Sequence, residues 1–204
     1  MNFNNLINDG LLVLNYAKQL INETDWTNRG TYEGILMESK KFPEKSSVPC
    51  YRFSCHSTKT IDELIECPWN VTEKVLKEDD PSVAKWTILD KNNENNFRII
   101  TMVNNMPWPY WSREVVIAQM ITRETNANWM VSWSVSHDKA PLQPNKYERA
   151  QVHVSVYGFV KDTTNGLNSS KMYRLSMIDP GGLLPAFVVD MFANKQMKPL
   201  AKWR

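Results

Sequence analysis

The chain has 204 residues, of which 42% are hydrophobic and 23% charged, and these values predict one folded domain with a sizeable core. The formal net charge is only +2, which argues against the strongly basic surface of a nucleic-acid-binding protein. Eight Trp residues predict either an aromatic-rich core, or an apolar cavity with a rim that touches a membrane.

The N-terminal segment, residues 1–22, predicts an amphipathic helix. Apolar residues recur there at helical spacing, at Ile7, Leu11, Leu14 and Ile21. The continuous apolar run within this helix is too short for a signal peptide or a membrane span. The three cysteines match no zinc-binding pattern and are typical of reduced thiols in the cytosol. We therefore expect a cytoplasmic protein whose contact with membranes is peripheral and transient.

The next part of the chain predicts a hairpin followed by two short helices. Gly30 and Gly34 indicate a loop before the hairpin. Its two strands are expected at residues 34–42 and 48–57. Thr60 and Glu63 have the spacing of a capping box, which marks the start of a helix. The two helices are expected at residues 60–69 and 70–80.

The second half of the chain predicts a meander of antiparallel strands and one terminal helix. Six apolar or alternating stretches are joined by polar links that are too short for crossover helices. The strands are expected at residues 84–91, 96–104, 114–123, 129–137, 150–161 and 171–179, and the helix at residues 183–199. We classify the chain as α+β, a single domain over residues 1–204, with an antiparallel sheet of about eight or nine strands that curls around the last helix.

No motif indicates an enzyme. The three histidines form no pair at metal-ligand spacing. Ser136, His137 and Asp138 are consecutive, so on an extended chain their side chains point apart and cannot act as a relay. The sequence has no glycine-rich phosphate loop and no HExxH helix. We expect no catalytic residue, no metal and no cofactor, although a cavity enzyme can lack a recognisable motif.

Three motifs resemble those of the StAR-related lipid-transfer (START) domain family. The turn Asp179-Pro180-Gly181-Gly182, followed by an apolar helix, is similar to the ending of that family. Two further segments agree, "WPYWSREVV" at residues 108–116 and "NWMVSWSVSHDKAPLQPNKYERAQVH" at residues 128–153, the second being similar to the ceramide-transfer branch. The resemblance covers residues 20–204. It implies a helix-grip fold, in which a curved sheet wraps around the C-terminal helix, one lipid lies in the tunnel between them, and nothing is catalysed.

The resemblance also implies which residues form the tunnel. It assigns head-group contacts to His153 and Ser155, which lie on one predicted strand. Alternation alone leaves the opposite assignment open, with the valines of that strand facing the core and its polar side chains facing water. Further lipid-binding residues are expected at Met102, Val115, Gln119, Trp133, Tyr173, Leu184, Phe187, Val188 and Met191.

Departures from the family pattern bear on the head group. Val83 stands where the phosphatidylcholine branch has an Arg, and Gln119 stands where the sterol branch commonly has one. Met102 and Val115 replace two aromatic residues of the choline cage, so cation–π capture of choline is weakened. We expect a less charged cavity with a neutral or weakly polar head group, ceramide-like or diacylglycerol-like, with Lys85 as an alternative partner for a phosphate.

The resemblance further suggests how a lipid enters. We expect Trp111, Leu183 and Leu184 to contact the membrane, and Gly181 and Gly182 to form the hinge of a lid made by the terminal helix. The predicted function is transfer of one lipid, a phospholipid, ceramide or similar molecule, between membranes by a monomeric carrier. Two alternatives are open: a lipid sensor that acts through a partner protein, and a cavity enzyme of the polyketide-cyclase or hydrolase kind.

Overall fold

The chain folds around one open, curved antiparallel sheet, seen in a computed structural model that describes residues 3–164, 169–182 and 184–204. The strands are β1 (Thr27–Tyr32), β2 (Ile35–Lys40), β3 (Cys50–Ser57), β4 (Val83–Asn92), β5 (Phe97–Asn104), β6 (Arg113–Glu124), β7 (Ala127–Ser134), β8 (Glu148–Arg149), β9 (Gln151–Asp162) and β10 (Ser169–Asp179).

The strand order in the sheet is β1-β2-β3-β10-β9-β7-β6-β5-β4, so the N-terminal hairpin joins the last strand of the chain. Short β8 pairs in parallel with the start of β6, and the other pairs are antiparallel. The predicted fold class, α+β with about eight or nine antiparallel strands and a helix-grip arrangement, is confirmed.

The sequence pattern does not predict the six-residue edge strand β1. All of its residues are exposed, so it lacks the alternation of apolar and polar side chains that marks other strands. A tight turn joins it to β2, and both turn residues, Glu33 and Gly34, have positive φ angles of 48° and 72°. A two-residue turn in which both residues have positive φ matches the right-handed twist of the strands in a hairpin. The glycines that indicate a loop therefore belong to a strand and its turn.

The described helices are α1 (Phe3–Asn22), α2 (Ile61–Trp69), α3 (Glu73–Asp79), α4 (Ala186–Lys195) and α5 (Met197–Trp203). The capping box predicted for α2 is confirmed: the Thr60 hydroxyl accepts from the N–H of Glu63, and the Glu63 carboxylate accepts from the N–H of Thr60 at 2.9 Å. α3 begins later than predicted because Thr72 caps it. Among the described helices, none is both long and apolar enough to cross a bilayer.

The terminal helix is divided in two, whereas the sequence predicts one continuous helix over residues 183–199. Pro199 has no N–H to donate to the carbonyl of Lys195, so the helical hydrogen-bond ladder is interrupted there. The N–H of Gln196 instead bonds the carbonyl of Ala193 at 3.1 Å, in a tighter turn. α5 starts directly after this turn and lies against the N-terminal hairpin strands β2 and β3.

The two faces of the sheet are covered differently. α1 packs on the outer face, where its buried side chains join a core cluster that includes Phe97, Trp129 and Trp133. On the inner face, α2, α4 and α5 pack over one end of the sheet in a second cluster that includes Leu64 and Leu200. The rest of the inner face bounds a cavity.

Candidate functional site

An apolar cavity of about 350 Å³ lies between the inner face of the sheet and helices α3, α4 and α5. Strands β4, β5, β6, β7, β9 and β10 form its floor, and the terminal helices form its roof. Its volume falls within the range of small-molecule binding sites. Most wall residues are apolar, and a minority are polar or charged, so the cavity suits a molecule with both an apolar and a polar part.

One end of the cavity is bounded by an apolar wall. The wall comes from several strands, and its members are Trp86, Ile100, Met102, Val115, Ile117, Ala150, Val152 and Ile178. β-branched and aromatic side chains give this wall a fixed shape, while the unbranched side chain of Met102 adapts easily to different neighbours.

A bulge in β9 decides which of its side chains face the cavity. β10 pairs with Val154 and then with Val152, so His153 is the extra residue that the pairing skips. The faces therefore change places at the bulge: Val152 lines the cavity on one side of it, and Ser155 on the other. The Nε2 of His153 is buried and has no hydrogen-bond partner in the part of the chain that the structure describes.

A first polar group on the cavity wall surrounds Arg98. The Nε of Arg98 donates to Oε1 of Gln119 at 2.7 Å, and Nε2 of Gln119 donates to the hydroxyl of Ser132 at 3.2 Å. Nη1 and Nη2 of Arg98 donate to the carbonyls of Trp69 and Pro68, at 2.8 and 3.5 Å. Burial lowers the pKa of Arg98 to about 10, so it is still protonated at neutral pH. The protein itself supplies partners for this guanidinium, and these partners are neutral.

A second polar group lies on β9 and β10. Arg174 and Ser176 of β10 are paired with Tyr157 and Ser155 of β9, and all four residues line the cavity. The guanidinium carbon of Arg174 is 4.6 Å from the centroid of the Tyr157 ring. The ring of Trp203 in α5 contacts the ring of Tyr157 edge-on, with the two centroids 5.2 Å apart. This group therefore lies where the strands meet the terminal helix.

The cavity wall carries more charge than the sequence predicts. Three arginines line it, Arg98, Arg113 and Arg174. Lys85, the alternative phosphate partner, is exposed. The expectation of a cavity less charged than in other branches of the family considers only the positions at which those branches carry charge, so it does not include these arginines. Strand alternation groups Arg98 and Arg174 with every second residue of their strands. It does not show which face of each strand turns towards the cavity.

Five of the predicted lipid-binding residues lie on the cavity wall, namely Met102, Val115, Gln119, Ser155 and Leu184. Two others lie on the opposite face of the sheet. Trp133 belongs to the core cluster beneath α1, and Tyr173 packs against that cluster. Each is next in sequence to a wall residue, Ser132 or Arg174, and neighbouring side chains of a strand point to opposite faces. The tunnel role predicted for Trp133 and Tyr173 is thus corrected.

The inward face of α4 also differs from the prediction. Its wall residues are Val189, Phe192, Ala193 and Lys195. Phe187 and Met191, which lie one turn apart, are 68% and 37% exposed and do not face the cavity. Val188 is buried without being a wall residue. Because the helix is apolar nearly all round, its sequence has no polar stripe to show how it is rotated.

The turn before α4 has a left-handed backbone held by an arginine. Gly181 and Gly182 have φ angles of 69° and 63°, which favour glycine. Nε of Arg113 donates to the carbonyl of Pro180 at 2.6 Å, and Nη2 donates to that of Gly181 at 3.0 Å. The carboxylate of Asp179 accepts from the N–H of Gly181 at 3.0 Å. The start of the terminal helix is therefore fixed to β6 by hydrogen bonds to the turn.

The two segments that adjoin this turn, the loop before β6 and α4, carry exposed apolar side chains. We call them the apolar rim: Trp108, Trp111, Phe187 and Met191, which are 92%, 55%, 68% and 37% exposed. Arg113, which holds the turn, also donates to the carbonyl of Trp111, so the loop with the two tryptophans lies beside the turn. Leu184, predicted to touch the membrane, is half-buried on the cavity wall. Leu183 lies outside the described residues.

Two ion pairs join the terminal helices to the end of α3. Lys195 bonds Asp80 at 2.8 Å, and Lys202 bonds Asp79 at 3.2 Å. We call the Asp80–Lys195 pair the latch. Burial by itself would raise the pKa of Asp80, but hydrogen bonds from Lys195 and Ser82 outweigh burial and lower the pKa below its ordinary value of 3.8. The carboxylate of the latch is therefore ionised at neutral pH.

The described residues offer few groups for catalysis. None of them form a cluster of three His, Cys, Asp or Glu side chains that could hold a metal. Burial raises the pKa of the Cys50 thiol to about 12 and that of Cys55 to about 11, so both are protonated at neutral pH and are weak nucleophiles. Burial and the carboxylate of Asp190 raise the pKa of Tyr51, on the cavity wall, to about 12. Its hydroxyl is therefore protonated at neutral pH.

The sequence matches the START domain family over residues 24–203, and no curated protein sequence matches it. The fold is similar to three solved human structures. The human StAR-related lipid transfer protein 5 superposes with a TM-score of 0.78 at 16% identity, over 97% of this chain and 93% of that chain. Human STARD10 has a TM-score of 0.75 at 18% identity, over 94% and 77%. The lipid transfer and protein localization domain of human StarD13 (DLC2) has a TM-score of 0.69 at 18% identity, over 95% and 94%.

Proposed function

Because the chain belongs to the START domain family, we propose that it binds one lipid in the cavity and carries it between membranes, as a peripheral protein of the cytoplasm. The observation that carries this proposal is the apolar cavity of about 350 Å³ beneath α4 and α5. Burying an acyl chain there contributes about 0.8 kcal/mol for each CH₂ group. The acyl chain leaves the apolar interior of a membrane and enters an apolar cavity, so the protein mainly lowers the barrier to crossing water.

The apolar rim is the surface that we propose to touch the membrane. A tryptophan ring has an apolar body and a polar N–H, so it suits the boundary between acyl chains and head groups. Trp108 and Trp111 lie on a loop beside the turn that starts α4. Insertion of the rim would therefore place the turn that starts α4 at the bilayer surface.

The terminal helix is the element that we propose to open. The contacts that hold it include the latch and the hydrogen bonds of Arg113 to the turn at Gly181. All of these are polar contacts, which water and lipid head groups can replace at a membrane surface. Opening would expose the apolar wall to the bilayer without unfolding the sheet.

A transfer assay between vesicles tests this function. Donor vesicles with fluorescent lipids and a quencher are mixed with acceptor vesicles, and the purified chain is added alone. We expect the rate of dequenching to rise in proportion to the protein concentration. A rate that requires an added partner protein would favour a lipid sensor. A lipid recovered with altered mass would favour a cavity enzyme.

We expect that loss of the latch speeds the release of bound lipid. Asp80→Asn removes the ion pair but keeps a hydrogen-bond acceptor for Ser82, and pairs of this exposure contribute about 0.2–1 kcal/mol. Release measured by stopped-flow fluorescence should therefore be about 1.4-fold to fivefold faster. Glu78→Gln is the control, because the Glu78–Lys74 pair at 4.0 Å is fully on the surface. Equal release rates for both variants would contradict a holding role of the latch.

The pH dependence of release follows from the lowered pKa of Asp80. The stability that the latch gives is fully present above the unfolded value of 3.8 and is lost as the pH falls through the lower folded pKa. For the unmodified chain we expect a constant latch contribution from pH 8 down to 5, and faster release only below pH 3.8. The Asp80→Asn variant should lack this acid-dependent component.

We also expect that a side chain at the proposed hinge weakens the closed state. In Gly182→Ala, a Cβ would lie 3.8 Å from Nη2 of Arg113, so the change adds backbone strain and no collision. Strain of about 1 kcal/mol in the closed turn predicts release that is about fivefold faster. Gly30→Ala is a matched control, since Gly30 also has a positive φ, 113°, with nothing within 4 Å, and lies at the far edge of the sheet. If Gly30→Ala speeds release as much as Gly182→Ala, the hinge role of Gly182 is contradicted.

A further inference from the structure

Arg174 lines the cavity with an incomplete set of hydrogen bonds. Its side chain is 7% exposed, and Nη1 donates to the carbonyls of Leu175 and Val156 at 2.6 and 3.4 Å. Its Nε is buried and has no hydrogen-bond partner among the described residues. Among the described residues this guanidinium donates hydrogen bonds through Nη1. The edge formed by Nε and Nη2 is therefore free to donate to a ligand.

No carboxylate neutralises Arg174 within residues 3–164, 169–182 and 184–204, where the arginine ion pairs are those of Arg52, Arg123 and Arg149. The carboxylate of Asp190, on α4, is instead 3.3 Å from the hydroxyl of Tyr51. An arginine cannot avoid the cost of burial by losing its proton, as a lysine can. A buried guanidinium without a counter-charge is therefore expected to have its anion supplied from outside the chain.

Hydroxyl groups accompany Arg174 on the same wall. Ser176 follows it by two residues on β10 and is paired with Ser155 on β9, while Tyr157 is paired with Arg174 itself. All of them line the cavity. Each hydroxyl can donate one hydrogen bond to an oxygen atom of a ligand. The guanidinium plane lies near the ring of Tyr157, which limits its movement. We call these four residues the Arg174 cluster.

Arg98 and Arg113, which are also buried on the wall, contrast with Arg174. Arg98 donates from Nε, Nη1 and Nη2 to oxygen atoms of the protein, and its side-chain partner Gln119 is itself bonded to Ser132. The hydrogen-bonding needs of that group are largely met without a ligand. The open donors of the wall are therefore concentrated at the Arg174 cluster.

We propose that the Arg174 cluster binds an oxyanion of the cargo, so that the transported lipid carries a phosphate or a carboxylate. The open edge of the guanidinium, with two parallel N–H groups, matches two oxygen atoms of either group. The acyl chains would then extend towards the apolar wall around Ile100 and Ile117. This inference rests on the proposed lipid-binding function and specifies the class of lipid.

Binding measurements with a panel of matched lipids test the inference. The purified full chain is titrated with phosphatidic acid, phosphatidylcholine, diacylglycerol and ceramide that carry the same fluorescent acyl chain. Unlabelled oleic acid is measured as a competitor of a labelled lipid. We expect the phosphate or carboxylate lipids to bind at least about tenfold more tightly than diacylglycerol. Phosphatidic acid, phosphatidylcholine and oleic acid distinguish a phosphate head, with or without choline, from a free carboxylate.

Variants of Arg174 give the second arm of this experiment. Arg174→Gln should abolish the preference for oxyanion lipids over diacylglycerol, whereas Arg174→Lys should retain part of the preference, because the charge is kept and the planar edge is lost. If Arg174→Gln does not fold, Ser176→Ala and Tyr157→Phe carry the same test, each with a several-fold smaller preference for oxyanion lipids over diacylglycerol.

The outcomes separate the inference from the proposed function. Tighter binding of diacylglycerol or ceramide by the unmodified chain, or an unchanged preference in a folded Arg174→Gln variant, would overturn the oxyanion site while lipid binding stands. Failure of the unmodified chain to bind any lipid of the panel would overturn both.

Discussion

Filling the cavity should abolish lipid binding without unfolding the protein. Ile117 lies on β6, is buried, and forms part of the apolar wall opposite Ile100. In Ile117→Trp the larger ring would occupy space that an acyl chain otherwise fills. Overpacking a filled core costs about 1–3 kcal/mol, but here the cavity of about 350 Å³ can accept the ring. We expect a fall in lipid binding of more than about tenfold, measured by fluorescence titration.

The control for this prediction is Ile117→Val, which leaves the cavity open and removes one methylene group. Such a change costs about 0.5–1.5 kcal/mol of stability and should leave lipid binding within about twofold of the unmodified chain. Thermal unfolding of both variants by circular dichroism separates lost binding from lost structure. Full lipid binding by a folded Ile117→Trp variant would show that the cargo lies elsewhere.

Removing two side chains of the apolar rim should slow transfer far more than it changes binding. Trp108 and Phe187 are 92% and 68% exposed, so truncation to Ala leaves the fold intact. Each aromatic side chain contributes about 1.5–3 kcal/mol when buried in an apolar medium. In the Trp108→Ala/Phe187→Ala double variant we expect membrane affinity, and with it the transfer rate between vesicles, to fall by at least about tenfold.

Leu12→Ala is the matched control for the rim. Leu12 is 69% exposed, which is similar to Phe187, but it lies on α1, which covers the other face of the sheet. Its transfer rate should stay close to that of the unmodified chain. Co-sedimentation with vesicles shows whether a slower rate arises from weaker docking. Equal transfer by the double variant and the control would place the docking surface away from the rim.

Local sequence signals predict most elements of the fold for identifiable reasons. The strands β4, β5, β6, β7, β9 and β10 have apolar or alternating side chains and short polar links, which leave an antiparallel meander as the simplest arrangement. The capping box at Thr60 and Glu63 fixes the start of α2 because both of its hydrogen bonds are local. By contrast, β1 is stabilised by pairing to β2 and has no buried side chain, so no periodicity marks it.

The cavity is less predictable, because its wall depends on which face of each element turns inward. A single bulge at His153 reverses the two faces of β9, and only the pairing with β10 reveals it. The rotation of α4 is likewise set by tertiary contacts, so Val189 lines the cavity and Phe187 does not. The resemblance to a family helps at positions that the family shares. It gives no sign of Arg174, whose importance comes from burial without a partner.

The mass of the intact complex shows whether the chain holds a lipid beneath α4. The purified chain is incubated with vesicles of mixed lipids, separated from them, and sprayed from a volatile buffer for native mass spectrometry. We expect the mass of the chain plus one lipid, and the mass of the chain alone for Ile117→Trp. An unmodified chain that carries no lipid after contact with vesicles, or one that carries the same lipid after its cavity is filled, would contradict a carrier that holds its cargo beneath α4.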